Sequence, residues 1–111
     1  MTQTKNMIVR TWSATADAAG AGNYSRYFDG TLLPELRKLA GFNGALLLRR
    51  DLGEDGIAEL TAHTFWESAE VIRAFAGDDI TVSIVEPEAQ AMLLDFDRTA
   101  THRNVIVDAR P

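Results

Sequence analysis

The chain has 111 residues, of which 46% are hydrophobic, and it carries a formal net charge of −5. This size predicts a single domain over residues 1–111 with enough apolar side chains to fill a core. The absence of cysteine excludes disulfides, thiolate nucleophiles and cysteine-ligated metals. Because phosphate binding needs a basic face and the largest basic cluster is the pair Arg49–Arg50, nucleic acid is disfavoured as a partner.

The N-terminal stretch "MTQTKNMIVRTWS" lacks a basic end that leads into an apolar segment, so a secretion signal is not expected. No uninterrupted apolar run approaches the roughly 20 residues that cross a bilayer. We therefore expect no membrane partner and, by default, a cytoplasmic location.

The first half of the chain predicts a strand followed by a helix. "MIVRTWSA", from Met7 to Ala14, is rich in β-branched and aromatic residues and is typical of a strand. The stretch "SATADAAGAGN" then predicts a loop, with Asn23 as the candidate N-cap of the helix. Pro34 removes a backbone donor, so a kink or break is predicted near Leu33. The apolar face of this helix carries Tyr24, Tyr27, Phe28 and Leu32 at helical spacing.

The middle of the chain predicts a hairpin. Gly41 is the expected left-handed end of the first helix, and "GALLLRRD" and "AELTAHTFW" are the two strands that follow. The short, turn-rich "LGEDG" between them favours antiparallel pairing.

The second half predicts two more helices and a final strand. Ser68 is a candidate N-cap, and Gly77 is expected to end the helix that it begins. Proline is tolerated in a first turn, so Glu86 and Pro87 predict the start of a short helix that runs to Leu94. "ITVSIV" is extended, and "HRNVIVDA" is the last strand. The predicted fold is therefore α+β: a ferredoxin-like, split βαβ arrangement, with helices on one face of a four-stranded antiparallel sheet.

Both faces of the predicted sheet are apolar in places. Alternation puts Leu60, Ala62, Thr64 and Trp66 on one side of the third strand. The other side carries Glu59, Thr61, His63 and Phe65. Since the second strand is apolar on both faces from Ala45 to Leu48, a second copy of the chain is the economical cover. We expect a homodimer with Thr61, His63 and Phe65 near its interface.

Several stretches resemble the antibiotic biosynthesis monooxygenase family of dimeric α+β barrels. They are "LPELRKLAGFNGALLLRRD", "FWESAEVIRAFAG", "PEAQAMLL" and the strand that starts at His102. The resemblance runs from about Val9 to Val107, and its most specific parts are the Gly41–Ala45 junction and the Trp66–Ser68 turn. Neither part is a catalytic signature, so the resemblance implies the fold more than the reaction.

The resemblance implies a pocket between sheet and helices, lined by an aromatic residue at position 66. An arbitrary tryptophan there would more often fill the core, so both interpretations of Trp66 stay open. "ITVSIVEPEA" is expected to fold back over the pocket as a lid. The candidate pocket residues are Tyr24, Tyr27, Phe28, Thr64 and Trp66.

The catalytic candidates are Trp66, His102 and Arg10. The resemblance favours His102, because the family often shows a histidine where the last strand opens. Arg10 lies inside a strand, where a charge must be paired, face a cavity or lie at an interface. His63 reads as a structural or interface residue. No phosphate loop, serine elbow or metal-ligand spacing occurs, so we expect a colourless protein without metal, flavin or haem.

The resemblance implies a cofactor-independent monooxygenase that acts on a small aromatic or quinone-like metabolite. The alternative is a non-catalytic or stress-response member of the same fold that binds a small apolar ligand. A haem-degrading role is disfavoured, because Ser68–Leu94 contains no histidine. The sequence does not disclose the substrate, since a fold does not fix a chemistry.

Overall fold

The computed structural model of the protein describes residues 7–53 and 55–111. A π-helical turn, Phe28–Leu32, joins the first two helices. The strands are β1 (Ile8–Ala16), β2 (Phe42–Asp51), β3 (Ala58–Trp66), β4 (Asp95–Phe96) and β5 (Thr101–Asn104). The helices are α1 (Ala18–Tyr27), α2 (Leu33–Leu36), α3 (Ala69–Ala76) and α4 (Pro87–Gln90).

The sheet has the strand order β2-β3-β1, with β4 and β5 both antiparallel to the free edge of β1. The ferredoxin-like α+β fold is thus confirmed, but the sheet has five strands in the described residues and not the predicted four. The fourth position is divided because four residues, 97–100, stand opposite only Trp12 and Ser13 of β1 between the two paired stretches. In this interval the carbonyl of Asp97 accepts the indole N–H of Trp12 at 2.9 Å.

The first helix begins earlier than the sequence predicted. Asp17 is its N-cap, with Oδ1 accepting the backbone N–H of Gly20 at 2.7 Å, so Asn23 lies inside the helix. The expected loop is helical here because alanine is the best helix former and an aspartate cap satisfies a free N–H group. The predicted break near Leu33 is confirmed as the π-helical turn, which ends one residue before it.

The ends of the later elements follow the sequence more closely. Ser68 caps α3 by accepting the N–H of Val71 at 3.3 Å, and Gly77 ends that helix with a φ of 88°. The predicted hairpin of β2 and β3 is also confirmed. The last helix and the last strand are shorter than predicted: α4 ends at Gln90, and β5 ends at Asn104.

The two faces of the sheet have different surroundings. On the helix side, β1 and β3 bury alternate residues, and Ala16, Leu60 and Trp66 are among the most deeply buried. The other side, here called the open face, carries no helix in the described part of the chain. There Leu46 and Leu48 are 49% and 45% exposed. Among the described residues, no helix is long and apolar enough to cross a membrane.

Candidate functional site

A cavity lies between the sheet and the helices, with about 440 Å³ of empty space that includes its open mouth. The sheet contributes Arg10, Trp12, Ala62 and Thr64. The helical layer contributes Tyr24, Phe28, Leu32, Leu36 and Phe75. The segment between α3 and α4, residues 78–85 and here called the strap, adds Ser83 and Ile84.

The strand register explains why space remains above the sheet. Arg10 pairs with Thr64, and Trp12 pairs with Ala62, so two large side chains of β1 stand beside two small ones of β3. From α1, Tyr24 lies over this position, and its ring is 5.8 Å from that of Trp12. The small side chains therefore leave a gap that the aromatic rings enclose.

Arg10 is the charged residue of the cavity lining, and its side chain is only 5% exposed. Its Nη1 donates to the carbonyl of Ile80, and Nη2 donates to the carbonyl of Val82 at 3.0 Å. Its guanidinium carbon lies 5.8 Å from the ring centroid of Phe75. Burial lowers the pKa of Arg10 from its usual value. The arginine thus holds the strap against the sheet and borders the cavity.

His102 lies beside Arg10 in the sheet, with its Nε2 3.0 Å from Nη1 of the arginine. A guanidinium only donates hydrogen bonds, so Nε2 must accept and the ring proton is assigned to Nδ1. Burial, and then the charge of Arg10, lower the pKa of His102. The histidine is therefore neutral at neutral pH, and its free lone pair is already engaged. This arrangement suits a positioning residue for Arg10 better than a general base.

Trp66 stands one layer behind the cavity wall. Its side chain is 0% exposed and is not among the lining residues. Its ring stacks on Phe75, 5.8 Å away, and meets Phe42 edge-on at 5.1 Å. Its indole N–H donates to Oγ1 of Thr64 at 2.8 Å. Trp66 therefore supports two lining residues, Phe75 and Thr64, and its nearest rings are not those of α1.

The other pocket candidates meet at the cavity or beside it. Tyr24, Phe28 and Thr64 line it, whereas Tyr27 lines a smaller adjoining cavity under the strap together with Tyr24. Burial strongly raises the pKa of the Tyr24 phenol, and Tyr27 adds to that rise. The pKa of Tyr27 is raised by burial, then by Glu86 and Glu88. Both phenols thus stay protonated at neutral pH and can donate a hydrogen bond.

The three candidate interface residues all lie on the open face, on the other side of β3 from the cavity. Nδ1 of His63 is 3.0 Å from Oγ1 of Thr11, and Oγ1 of Thr61 is 2.9 Å from Oγ of Ser13. Phe65 lies under the guanidinium of Arg110, 5.0 Å from its ring centroid. The structure thus keeps His63 apart from the cavity and from His102.

Some cavity residues were not predicted from the sequence. The sequence pattern predicts only an apolar helix position for Phe75 and only a strand position for Trp12. The alternation of β1 could have found Trp12, because it shares a face with Arg10. No local pattern marks Ser83 or Ile84, which the fold brings over the cavity. Among the described residues, no group of three or more His, Asp or Glu side chains is arranged to hold a metal ion.

No protein-family model matches the chain, and no curated protein matches it. Solved structures do match. A Bacillus cereus protein proposed to be an antibiotic biosynthesis monooxygenase has a TM-score of 0.62 at 18% identity, over 96% of this chain and 99% of its own. A haem-degrading protein from Mycobacterium tuberculosis, in its haem-free form, has a TM-score of 0.59 at 21% identity, over 97% and 100%. SnoaB, a cofactor-independent oxygenase from Streptomyces nogalater, has a TM-score of 0.55 at 13% identity, over 96% and 97%.

These likenesses identify the class of fold. The chain is similar over nearly its whole length to these proteins and to a dimeric ferredoxin-like protein from an uncultured marine organism. Within that class, it has the fold of the antibiotic biosynthesis monooxygenase type of protein. At identities of 21% or lower, the shared property is the fold. The chemistry has to be argued from the cavity itself.

Proposed function

We propose that the protein is a cofactor-independent monooxygenase that acts on a small aromatic or quinone-like metabolite. The observation that carries the proposal is the cavity, which is walled by aromatic rings and aliphatic side chains and has one charged residue in its lining. Ligand sites of this kind combine apolar walls with a few oriented polar groups. The oxygenase neighbours support the reaction type.

The chemistry asks little of the protein because the substrate supplies the electrons. When a CH₂ group flanked by aromatic rings is oxidised to a ketone, it gives up four electrons, which dioxygen accepts. One oxygen atom becomes the ketone, and the other leaves as water with the two hydrogens. The protein has to bind the substrate, favour its deprotonated form and exclude water.

The cavity residues suit those three tasks. The aromatic rings of Trp12, Phe28 and Phe75 offer flat surfaces to a substrate ring. Tyr24 stays protonated and can donate a hydrogen bond to a substrate oxygen. The strap, held to Arg10 by two carbonyls, covers one side of the cavity.

The haem-degrading neighbour raises a second chemistry that these residues do not fit. Of the two histidines in the sequence, neither lines the cavity. His63 lies on the open face, and Nε2 of His102 is engaged by Arg10. A histidine ligand for haem iron is therefore absent from the cavity walls among the described residues.

The test is oxygen consumption with anthrone, which has a CH₂ group between two aromatic rings. We expect protein-dependent uptake of dioxygen above the spontaneous rate, and labelled dioxygen should deliver one labelled atom to the anthraquinone product. Binding of anthrone without uptake would replace this proposal with the non-catalytic, ligand-binding alternative. If anthrone neither binds nor causes oxygen uptake, both the oxygenase and the ligand-binding alternative are contradicted for this substrate class.

Variants that fill the cavity provide the control. Ala62 is small, buried and part of the cavity floor, so Ala62→Val and then Ala62→Leu should lower the uptake in steps. Ala74→Leu is the matched control, because it adds the same side chain at an exposed position of α3. Uptake that is equal in all three variants would place the reaction outside this cavity.

We also propose that the protein is a homodimer built through the open face. Leu46 and Leu48 are large, apolar and about half exposed there. Thr61, His63 and Phe65 lie on the same face of the adjoining strand β3. A second copy would cover these residues by packing its sheet against this one. For a stable dimer, we expect this interface to bury more than roughly 2,000 Å².

Sedimentation tests the dimer. The wild-type protein should sediment at twice the 12.2 kDa mass of one chain at micromolar concentration. Leu46→Glu should shift it to the monomer, because a buried carboxylate without a partner opposes association. Leu94→Glu is the matched control, since Leu94 is 58% exposed and lies outside the open face. A wild-type monomer, or equal effects of both variants, would contradict the proposal.

A further inference from the structure

We propose that the ligand of the cavity carries a negatively charged oxygen, a carboxylate or a phenolate on an aromatic ring, and that Arg10 binds it. This inference rests on the proposed function only in taking the cavity as the ligand site. It adds the substrate class: an aromatic acid or an acidic phenol that enters as an anion.

Arg10 lacks a counter-charge among the described residues. The described residues form five ion pairs, and all of them leave Arg10 out. Its neighbours within hydrogen-bonding distance are two backbone carbonyls and the neutral ring of His102. A buried charge is ordinarily paired with an opposite one, because removing an ion from water is costly. Arg10 therefore stands in the fold as a buried cation without an anion.

Arg10 carries more N–H donors than its bonds within the described chain use. A guanidinium has five N–H groups in a fixed planar fork. Three of them are used within the described chain, by Ile80, His102 and Val82. No side-chain nitrogen or oxygen in the described residues is both fully buried and without a partner. Nε of Arg10 makes none of these bonds and is therefore not fully buried, and Arg10 is part of the cavity lining.

The charge of Arg10 lies in the same cavity lining as several aromatic rings. The guanidinium lies over one edge of the cavity, beside Phe75, and Trp12 and Tyr24 enclose the space beyond it. A ligand with its ring among these side chains and its anionic oxygen at Arg10 would satisfy both halves of the site. Because the walls are apolar, the attraction between the two charges is screened less than in water.

The alternative for Arg10 is a structural one, in which it only ties the strap to β1. The two carbonyl bonds support that role, but they require hydrogen-bond donors and no charge. A buried permanent cation is a costly choice for this task alone. The two roles make different predictions, since a purely structural arginine would not discriminate between a charged and a neutral ligand of the same shape.

Calorimetric titration with benzoate and benzamide separates these roles, because the two probes share a ring and a planar head group and differ in charge. We expect the wild-type protein to bind benzoate more tightly. Arg10→Met should weaken benzoate by about tenfold to a hundredfold, the usual cost of losing a charge-assisted hydrogen bond, and weaken benzamide by a clearly smaller factor, because the neutral amide loses no pairing of opposite charges. Arg98→Met is the matched control. It removes an arginine that lies over another ring, that of Phe96, outside the cavity, so it should change neither affinity.

Equal affinity of the wild-type protein for both probes, or no binding of either, would overturn the inference. If Arg10→Met does not fold, the wild-type protein is compared with Arg10→Lys. This variant keeps the charge and should keep the preference for benzoate over benzamide. Loss of that preference in Arg98→Met would also overturn the inference. These titrations involve no turnover. A preference for benzoate without oxygen uptake from anthrone would therefore contradict the oxygenase proposal and support the anion site. Oxygen uptake from anthrone without a preference for benzoate would support the oxygenase proposal and contradict the anion site.

Discussion

Replacing Trp66 with alanine will lower the free energy of unfolding by about 3–5 kcal/mol, the usual cost of removing a large aromatic side chain from a core. The ring is completely buried between Phe42 and Phe75. The change also removes the donor that Thr64 accepts at 2.8 Å. For a small domain this is a large share of the total stability. Urea denaturation followed by circular dichroism measures it.

The controls separate packing from a direct role at the ligand. Trp66→Phe keeps a ring and should restore much of the stability, while Ile106→Ala removes an 87% exposed side chain and should change little. Because Trp66 supports Phe75 and Thr64 from behind, Trp66→Phe should weaken ligand binding only modestly. A stability loss below about 1 kcal/mol for Trp66→Ala, well under the range for a buried ring, combined with abolished binding, would show instead that the ring contacts the ligand.

The sequence alone predicted those features that depend on short-range patterns. Alternation along β3 identified both faces correctly, since a side-chain period of two needs no tertiary information. The N-cap at Ser68 and the end of α3 at Gly77 follow from local hydrogen bonding and a positive φ. The N-cap of α1 was misplaced, because Asp17 and Asn23 are both good caps and the small residues between them, 18–22, also suit a loop. The alanines that follow Asp17 and the packing of α1 against the sheet favour the earlier start.

The cavity was predicted in outline, and its details depend on long-range contacts. Tyr24 and Phe28 come from one helical face, which spacing reveals. The contact between Arg10 and Ile80 joins residues 70 apart in the chain, and no pattern in "ITVSIV" indicates that its carbonyls face an arginine. Trp66 was placed on the correct face of β3, but whether its ring lines a cavity or supports one depends on Phe75, which comes from another element.

Two glycines of α1 will respond oppositely to the same substitution. A Cβ atom at Gly20 would lie 2.2 Å from the carbonyl oxygen of Met92, whereas at Gly22 the nearest atom would be 3.7 Å away, at the end of the Arg26 side chain. Alanine is a better helix former than glycine by about 1 kcal/mol. Gly22→Ala should therefore raise the free energy of unfolding by up to about that amount.

Gly20→Ala should instead lower the free energy of unfolding by about 1–3 kcal/mol, the usual cost of overpacking. The clash is with backbone, and the backbone there has little freedom to move. The N–H of Met92 donates to Ala89 at 3.0 Å, and two residues later Leu94 donates to Thr15 of β1 at 2.8 Å. Gly20 thus allows α1 to approach the chain that follows α4, close to the turn that begins the helix. Parallel urea titrations of the two variants measure both effects. Stabilisation by both substitutions would show that the segment at Met92 yields, and that this close approach is not a constraint of the fold.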